Sequence, residues 1–466
     1  MLRKLNCGRR KRRLVSYYLF PVLLLLSLHS FSQNGAFIPA TENIESLKTS
    51  LTTHELSFQT TLKSLPKEFK KDFEETYTSR WKNIKEKFDL GEIYTSAPAQ
   101  QYLDKIINEI TNSNSLLKDK NFKAYFSRSG VPNASYMGEG VMLVNMGLFS
   151  RLGNESQLAF VICHEIAHYY LKHSDIAIDA YVRRINSREF QNELRDIKKT
   201  EYGKRERLEN LTKKFSFDSR RHTRQNEHQA DSMAVEFLKN TKFNLTEAVK
   251  TLALLDTIDI DSLDVETSLT IIFNSPEYPF QKRWLRKEQG LLGGHATLKQ
   301  ESWSDSLKTH PDCNKRIAQL NPFIEKYRSG NLTTGIDTNN FRKLQHDFRY
   351  EIIEYEYKSE NFSRALFSCL MLMSANTPDP YLVTMIGKSM NSIYLSFKSH
   401  RLSKVTDLPS PGAPSNYNQL CQFIQNLYAE NVASISYHFL LRYKNSMGQN
   451  KDFQTAFEDI SKAIQK

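Results

Sequence analysis

Val161-Ile-Cys-His164-Glu165-Ile-Ala-His168 sets two histidines four residues apart, with a glutamate directly after the first. On a helix, residues i and i+4 leave from one face, so both imidazoles can reach a single metal ion. Glu165 then stands where a general base could act on water at an open position of that ion. A catalytic ion of this kind takes three protein ligands and keeps the fourth position open. No third histidine follows His168 at a spacing that would complete a three-histidine set, and His173, five residues on, should face elsewhere on the same helix. Glu227, within Glu227-His228-Gln229-Ala230-Asp231, is the preferred third ligand, with His222 and His228 as rivals. Asp231, one helical turn further, is placed to accept an imidazole N–H and so fix the tautomer of a ligand histidine.

The elements that must carry these groups can be read around them. Asn154 is an N-cap candidate, Glu155 suits a first turn, and Leu158, Ile162, Ile166 and Tyr169 or Tyr170 repeat at helical spacing. The same pattern predicts helices over 226–238 and 245–255. Upstream, Glu42 to Leu90 reads as polar helix, Ala97 to Ile110 as a second helix, and Phe122–Phe126 and Val141–Asn145 as short strands. Residues 175–222 read as a solvated helical hairpin broken near Gly203. Glycines at 290–294 lead to a Thr309-His310-Pro311 turn and a helix from Asn314. Gly330 to Asp337 is small and polar, as in a linker. The remainder is helical, with a loop holding Pro409, Pro411 and Pro414. It resembles tetratricopeptide hairpins, with a poor repeat match.

Composition bounds the class. The chain has 466 residues, a net charge of +12, 39% hydrophobic and 25% charged residues, and no run fit for a multi-span membrane protein. Met1 to Arg13 carries seven Lys or Arg residues and no acid; an apolar run over 14–28 and Ser30-Phe-Ser32 follow. That is a secretory layout, removed after residue 32. The alternative is an uncleaved membrane anchor, although the run is short for a span and contains Pro21. Cys7 precedes the apolar run and cannot be a lipidation site. Without residues 1–32 the charge falls to about +5, and 14 basic against seven acidic residues concentrate in 182–224. A general nucleic-acid-binding reading loses its support. The local excess leaves cleft covering or a peripheral contact with an anionic membrane surface as readings, beside a plain solvated face. Cys163, Cys313, Cys369 and Cys421 suggest no disulfide framework and read as small buried hydrophobes.

His164-Glu-Ile-Ala-His-Tyr-Tyr-Leu-Lys-His173, Glu227-His-Gln-Ala-Asp231 and Thr309-His-Pro-Asp-Cys-Asn-Lys-Arg-Ile317 together resemble the family of HtpX-like, BepA-like and Oma-like zinc metallopeptidases and the CAAX prenyl protease. The stretch from Ser127 to Leu148 is similar to the family's segment before its active-site helix, and the likeness runs from about Leu65 to Leu320. The resemblance implies a mainly α (α+β) zincin-type domain with a small edge sheet, and one zinc ion per chain on His164, His168 and Glu227. It implies Glu165 as catalytic acid/base and His310 as an oxyanion or resting-state group. Arg316 would bridge to a core carboxylate or take a catalytic part. The strand of Val141, Met142, Leu143 and Val144 would be the edge that pairs with an extended substrate.

The expected organisation is a signal peptide (1–32), a peptidase domain (33–330) with a basic helical insert (175–224), and a helical, tetratricopeptide-like domain (331–466). The expected activity is hydrolysis of unfolded or misassembled envelope proteins in the periplasm, with an envelope partner docking on the C-terminal helices. The rival is a chaperone-like or scaffold protein with a vestigial zinc site.

Overall fold

The computed structural model describes residues 37–40, 43–200, 202–258, 263–286, 313–327, 333–373, 378–410 and 413–465. The expected single helix over 42–90 is two: α1 (Ile44–Lys63) and α2 (Lys70–Asp89). Pro66 lies in the break, where it can neither donate an amide proton nor continue a helix. Phe58 and Trp81 stack at 5.3 Å and hold the two helices together. A third helix, α3 (Ala97–Ser113), precedes the sheet and buries Tyr102, Leu103, Ile106 and Ile110 along one face.

The sheet has three strands: β1 (Lys123–Ser127), β2 (Ala134–Gly138) and β3 (Val141–Asn145), in the order β1-β3-β2. β3 runs parallel to β1 and antiparallel to β2. Val141, Met142, Leu143 and Val144 therefore form the central strand, and the expectation that they are a substrate-pairing edge is corrected. Both hydrogen-bonding sides of β3 are used by its neighbours. The edges are β1 and β2, and the Ala-Ser-Tyr-Met-Gly sequence of β2 carries no apolar run. Residues on the sheet alternate between two cores. Ala124, Phe126, Met142 and Val144 pack with α3 and the helices behind it, whereas Tyr125, Val141 and Leu143 pack with α1 and α2.

After the short α4 (Met146–Phe149) comes α5 (Glu155–Tyr170), capped by Asn154, whose side chain accepts from Gln157 N. Residues 158–163, 166 and 167 of α5 are all buried, as in a helix that runs through a core. The basic stretch is not one hairpin: it holds α6 (His173–Ile185), α7 (Arg188–Lys199) and the first half of α8 (Lys204–Leu238). α8 is one 35-residue helix, so the insert and the expected helix over 226–238 are continuous. Then follow α9 (Glu247–Thr257), α10 (Val265–Phe273) and α11 (Cys313–Tyr327). The chain closes with α12 (Thr338–Lys358), α13 (Phe362–Met373), α14 (Pro380–Lys398), α15 (Leu402–Val405), α16 (Ser415–Gln425), α17 (Ala429–Met447) and α18 (Lys451–Ile464).

The two large cores do not divide at residue 330. Val265, Leu269, Phe273 and Trp284, which precede it, pack with the C-terminal helices. Phe341, Leu344 and Phe348, which follow it, belong to the core of α3, α5 and α8. Nor does the expected linker run free over its described part: Thr333 N donates to Lys242 O, Ser156 N to Thr334 O, and Asp337 N to the Glu155 carboxylate. No described helix is long and apolar enough to cross a membrane. The signal layout over 1–32, including Cys7, and the glycines at 290–294 lie outside the described residues.

Candidate metal centre

α5 lies along α8. Ala159, Cys163 and Ala167 on one helix and Ala230 and Ala234 on the other are wholly buried, and their small side chains allow the two axes a close approach. His164 and His168 leave α5 one turn apart, and Glu227 leaves α8 opposite them. The three ligand atoms lie within 4.8 Å of one another. His164 Nε2 and His168 Nε2 are 3.1 Å apart, and each is 3.4 Å from a different oxygen of Glu227. A tetrahedral ion with bonds of about 2.05 Å would have donor-to-donor edges of about 3.3 Å. The triangle has the size and the donor chemistry for such an ion. His228, a rival ligand, is not part of it. The side chain of His222, the other rival, lies outside the described residues, as does His310.

The outer nitrogens explain why both rings turn the same way. His164 Nδ1 lies 3.0 Å from Asp231 Oδ1. His168 Nδ1 lies 3.0 Å from His173 Nδ1, and His173 Nε2 lies 3.2 Å from Gln229 Oε1. The partners fix the tautomers: His168 donates from Nδ1 to His173, which donates from Nε2 to Gln229, leaving His168 Nε2 as a lone-pair donor toward the centre. His173 therefore does not face elsewhere on the same helix. α5 stops at Tyr170, Lys172 takes a left-handed conformation (φ 56°), and His173 opens α6 with its ring turned back to His168. This positioning residue and Gln229 were missed from spacing alone, because the helix end at Leu171 carries neither glycine nor proline.

Arg316 on α11 makes a two-pronged ion pair with Asp231, Nε to Oδ2 at 2.6 Å and Nη2 to Oδ1 at 2.7 Å. Its Nη1 lies 3.3 Å from Glu227. Both Arg316 and Asp231 are 2% exposed, so the pair is shielded from water and neutralised internally. Of the two roles open to Arg316, the structure shows the bridge to a core carboxylate.

Charge at the centre favours a cation. Burial alone would lower the pKa of His164, but Asp231 and Glu227 outweigh it and raise it to about 10. Burial would raise Glu227, yet the bond from His164 and the charge of Arg316 outweigh it and hold it well below the usual carboxylate range. The same two carboxylates thus favour positive charge between the two helices. Burial pushes the pKa of His173 down, in keeping with the neutral ring that the tautomer chain requires.

Glu165, 9% exposed, lies on the same helix and turns toward the sheet. Its Oε2 accepts from Tyr136 N on β2 at 2.6 Å. Tyr136 thus points its amide away from β3, into the cavity. That cavity, of about 350 Å³, is bounded by Asn133–Tyr136 on one side and by His164, Glu165, His168, Glu227 and Arg316 on the other. Leu148, Phe160, Val161 and Leu255 supply apolar wall. The arrangement brings three residues that could hold a metal ion, the Glu165 carboxylate and an open strand edge into one cleft.

No curated protein matches the chain. Residues 97–323 match the model of Peptidase family M48, a stretch that takes in all three ligands, Glu165, Asp231 and Arg316. On that match, and with the centre it encloses, residues 97–323 form a domain of peptidase family M48, a metallopeptidase domain.

Proposed function

We propose that the protein is a zinc-dependent endopeptidase, exported to the cell envelope, that cuts extended segments of unfolded polypeptide. The observation that carries the reading is the meeting of the His164, His168 and Glu227 triangle, Glu165 and the edge of β2 in one cavity. Two imidazoles, one carboxylate and an open fourth position make a donor set suited to catalytic zinc. When bound, such an ion would supply Lewis-acid polarisation of the peptide carbonyl and acidify water beside it.

The chain's own groups do the rest. The edge of β2 offers backbone groups to an extended peptide, which would add as a further strand. Such pairing reads the backbone rather than side chains, which suits a substrate that has lost its fold. As the peptide seats, Glu165 exchanges its bond to Tyr136 N for the attacking water, takes its proton, and returns it to the leaving amine. Asp231 and His173 keep the two imidazoles aimed throughout. Export rests on the basic, apolar and small-residue succession of residues 1–32, and the C-terminal helices are the region we assign to an envelope partner.

The test compares a protein in its native state with the same protein reduced and carboxymethylated. The enzyme should cut the unfolded form many times faster, stop with a zinc chelator and recover on adding zinc. Equal cutting of both forms would remove the unfolded-substrate claim, and hydrolysis indifferent to the chelator would remove the metal.

A further inference from the structure

The turn joining the edge strand β2 to β3 has three successive residues at positive φ: Gly138 (107°), Glu139 (50°) and Gly140 (74°). Glu139 is neither glycine nor asparagine, so this conformation persists only where surroundings hold it. What holds it comes from the N-terminal helices. Arg80 on α2 places Nη2 2.6 Å from Glu139 Oε1. Thr61 on α1 donates to Glu139 Oε2 at 3.0 Å, and His54 Nδ1 lies 3.0 Å from Glu139 O.

The other prong of the same guanidinium reaches a different element. Arg80 Nη1 lies 3.0 Å from Asp175 Oδ1 and donates to Ser174 Oγ at 2.9 Å. Tyr77, one turn before Arg80, lies under its guanidinium at 4.6 Å and donates to Asp175 at 3.2 Å. Ser174 and Asp175 directly follow His173, which holds His168. Gly138 makes the room: a Cβ there would lie 2.6–2.9 Å from Arg80 Nε, Cζ and Cδ. A helix-to-sheet staple needs one partner. This guanidinium has two carboxylates, one at the end of the strand that bounds the cleft and one at the start of the helix that aims a metal ligand.

We propose that Arg80 is a positioning residue for hydrolysis: it clamps the β2–β3 turn to the start of α6, and so sets the separation of the edge strand from the metal-bearing helix. α2 precedes residue 97, so the clamp comes from a part of the chain that the family match does not include. A lysine could not replace it, since one ammonium cannot reach both carboxylates in fixed planar geometry. The inference rests on the peptidase reading, in which a peptide lies between that strand and that helix.

The experiment uses Arg80→Ala and Asp175→Asn, with Phe58→Leu as a control that loosens the same α1–α2 layer without touching the clamp. Amide hydrogen exchange is read over 134–140 and 173–176, beside KM, kcat and zinc content on an unfolded peptide. The expected result for Arg80→Ala is faster exchange in both segments, KM raised about tenfold or more, and unchanged zinc. Asp175→Asn should quicken 173–176 alone, which keeps the test open should Arg80→Ala fail to fold. Exchange that rises evenly along the chain, or a KM change matched by Phe58→Leu at equal loss of thermal stability, would make Arg80 a structural residue and overturn the proposal. Exchange needs no turnover, so a wild-type protein that binds zinc and cuts nothing would sink the peptidase reading while the clamp is still decided.

Discussion

At the scale of the residue, ligands and their supports should separate by what they cost. Glu227→Ala removes one of three donors and should abolish stoichiometric zinc, measured by metal analysis after dialysis. His173→Ala leaves all three donors but frees His168 Nδ1, and should weaken zinc binding about 10- to 100-fold by competition with a chromogenic chelator. The raised pKa of His164 adds a pH dependence with a definite sign. Below about 10 the metal-free ring carries a proton that zinc must displace, so affinity should rise as pH rises toward that value. Calorimetry in two buffers of different ionisation heat should show about one proton released per zinc at pH 7. The meeting of His164, His168, Glu227 and Asp231 was legible because it depends on i, i+4 spacing within helices, and helical spacing survives in sequence. His173 was not, because it acts by a chain reversal at Lys172 that only the backbone reveals.

At the scale of the element, the sheet shows where patterning misleads. A continuous apolar run such as Val141 to Val144 means a strand covered on both faces, and a strand so covered tends to sit in the middle. The edge reads as polar and was passed over because Ser135, Gly138 and a lone Met137 give no alternation. Its role can be tested at Tyr136. Tyr136→Pro deletes the amide that faces Glu165, which an edge strand tolerates, whereas Tyr136→Ala keeps the amide and loses only the ring. The proline variant should show the higher KM with zinc retained; equal KM values would mean that the edge does not bind substrate. A second test concerns the turn beyond it. His54 is buried between Glu139 O and Tyr125 Oη, and burial lowers its pKa below 6.5. As pH falls below 6.5 the unfolded chain takes up this proton first, so stability rises with pH through that window and is lost on acidification. The contribution is at most about 1.4 kcal/mol per pH unit. In denaturant titrations His54→Gln should flatten that slope.

At the scale of the whole molecule, composition and spacing marked the basic insert and the late helices but placed the boundary between the units by a small polar stretch. The cores follow packing instead. Phe348 meets Phe126 at 4.7 Å, Phe149 at 5.2 Å and Tyr94 at 5.4 Å, deep in the core behind the metal helix. Phe348→Ala should cost about 3–5 kcal/mol in chemical denaturation. A chain ended before α12 should lack a folded peptidase rather than yield a trimmed enzyme. Long-range packing of this kind leaves no local trace: the apolar residues of α12 serve both cores, with Phe341, Leu344 and Phe348 in one and Ile353 in the other. Nothing in their spacing says which neighbours they will meet.

The central claim is that one cleft combines a three-ligand zinc site with Glu165 as base. Its most direct test measures zinc content and casein hydrolysis on the same preparations of wild-type protein and Glu165→Gln. The account predicts one zinc per chain in both and hydrolysis in the first alone. A Glu165→Gln protein that keeps its zinc and still cuts casein at the wild-type rate would contradict it.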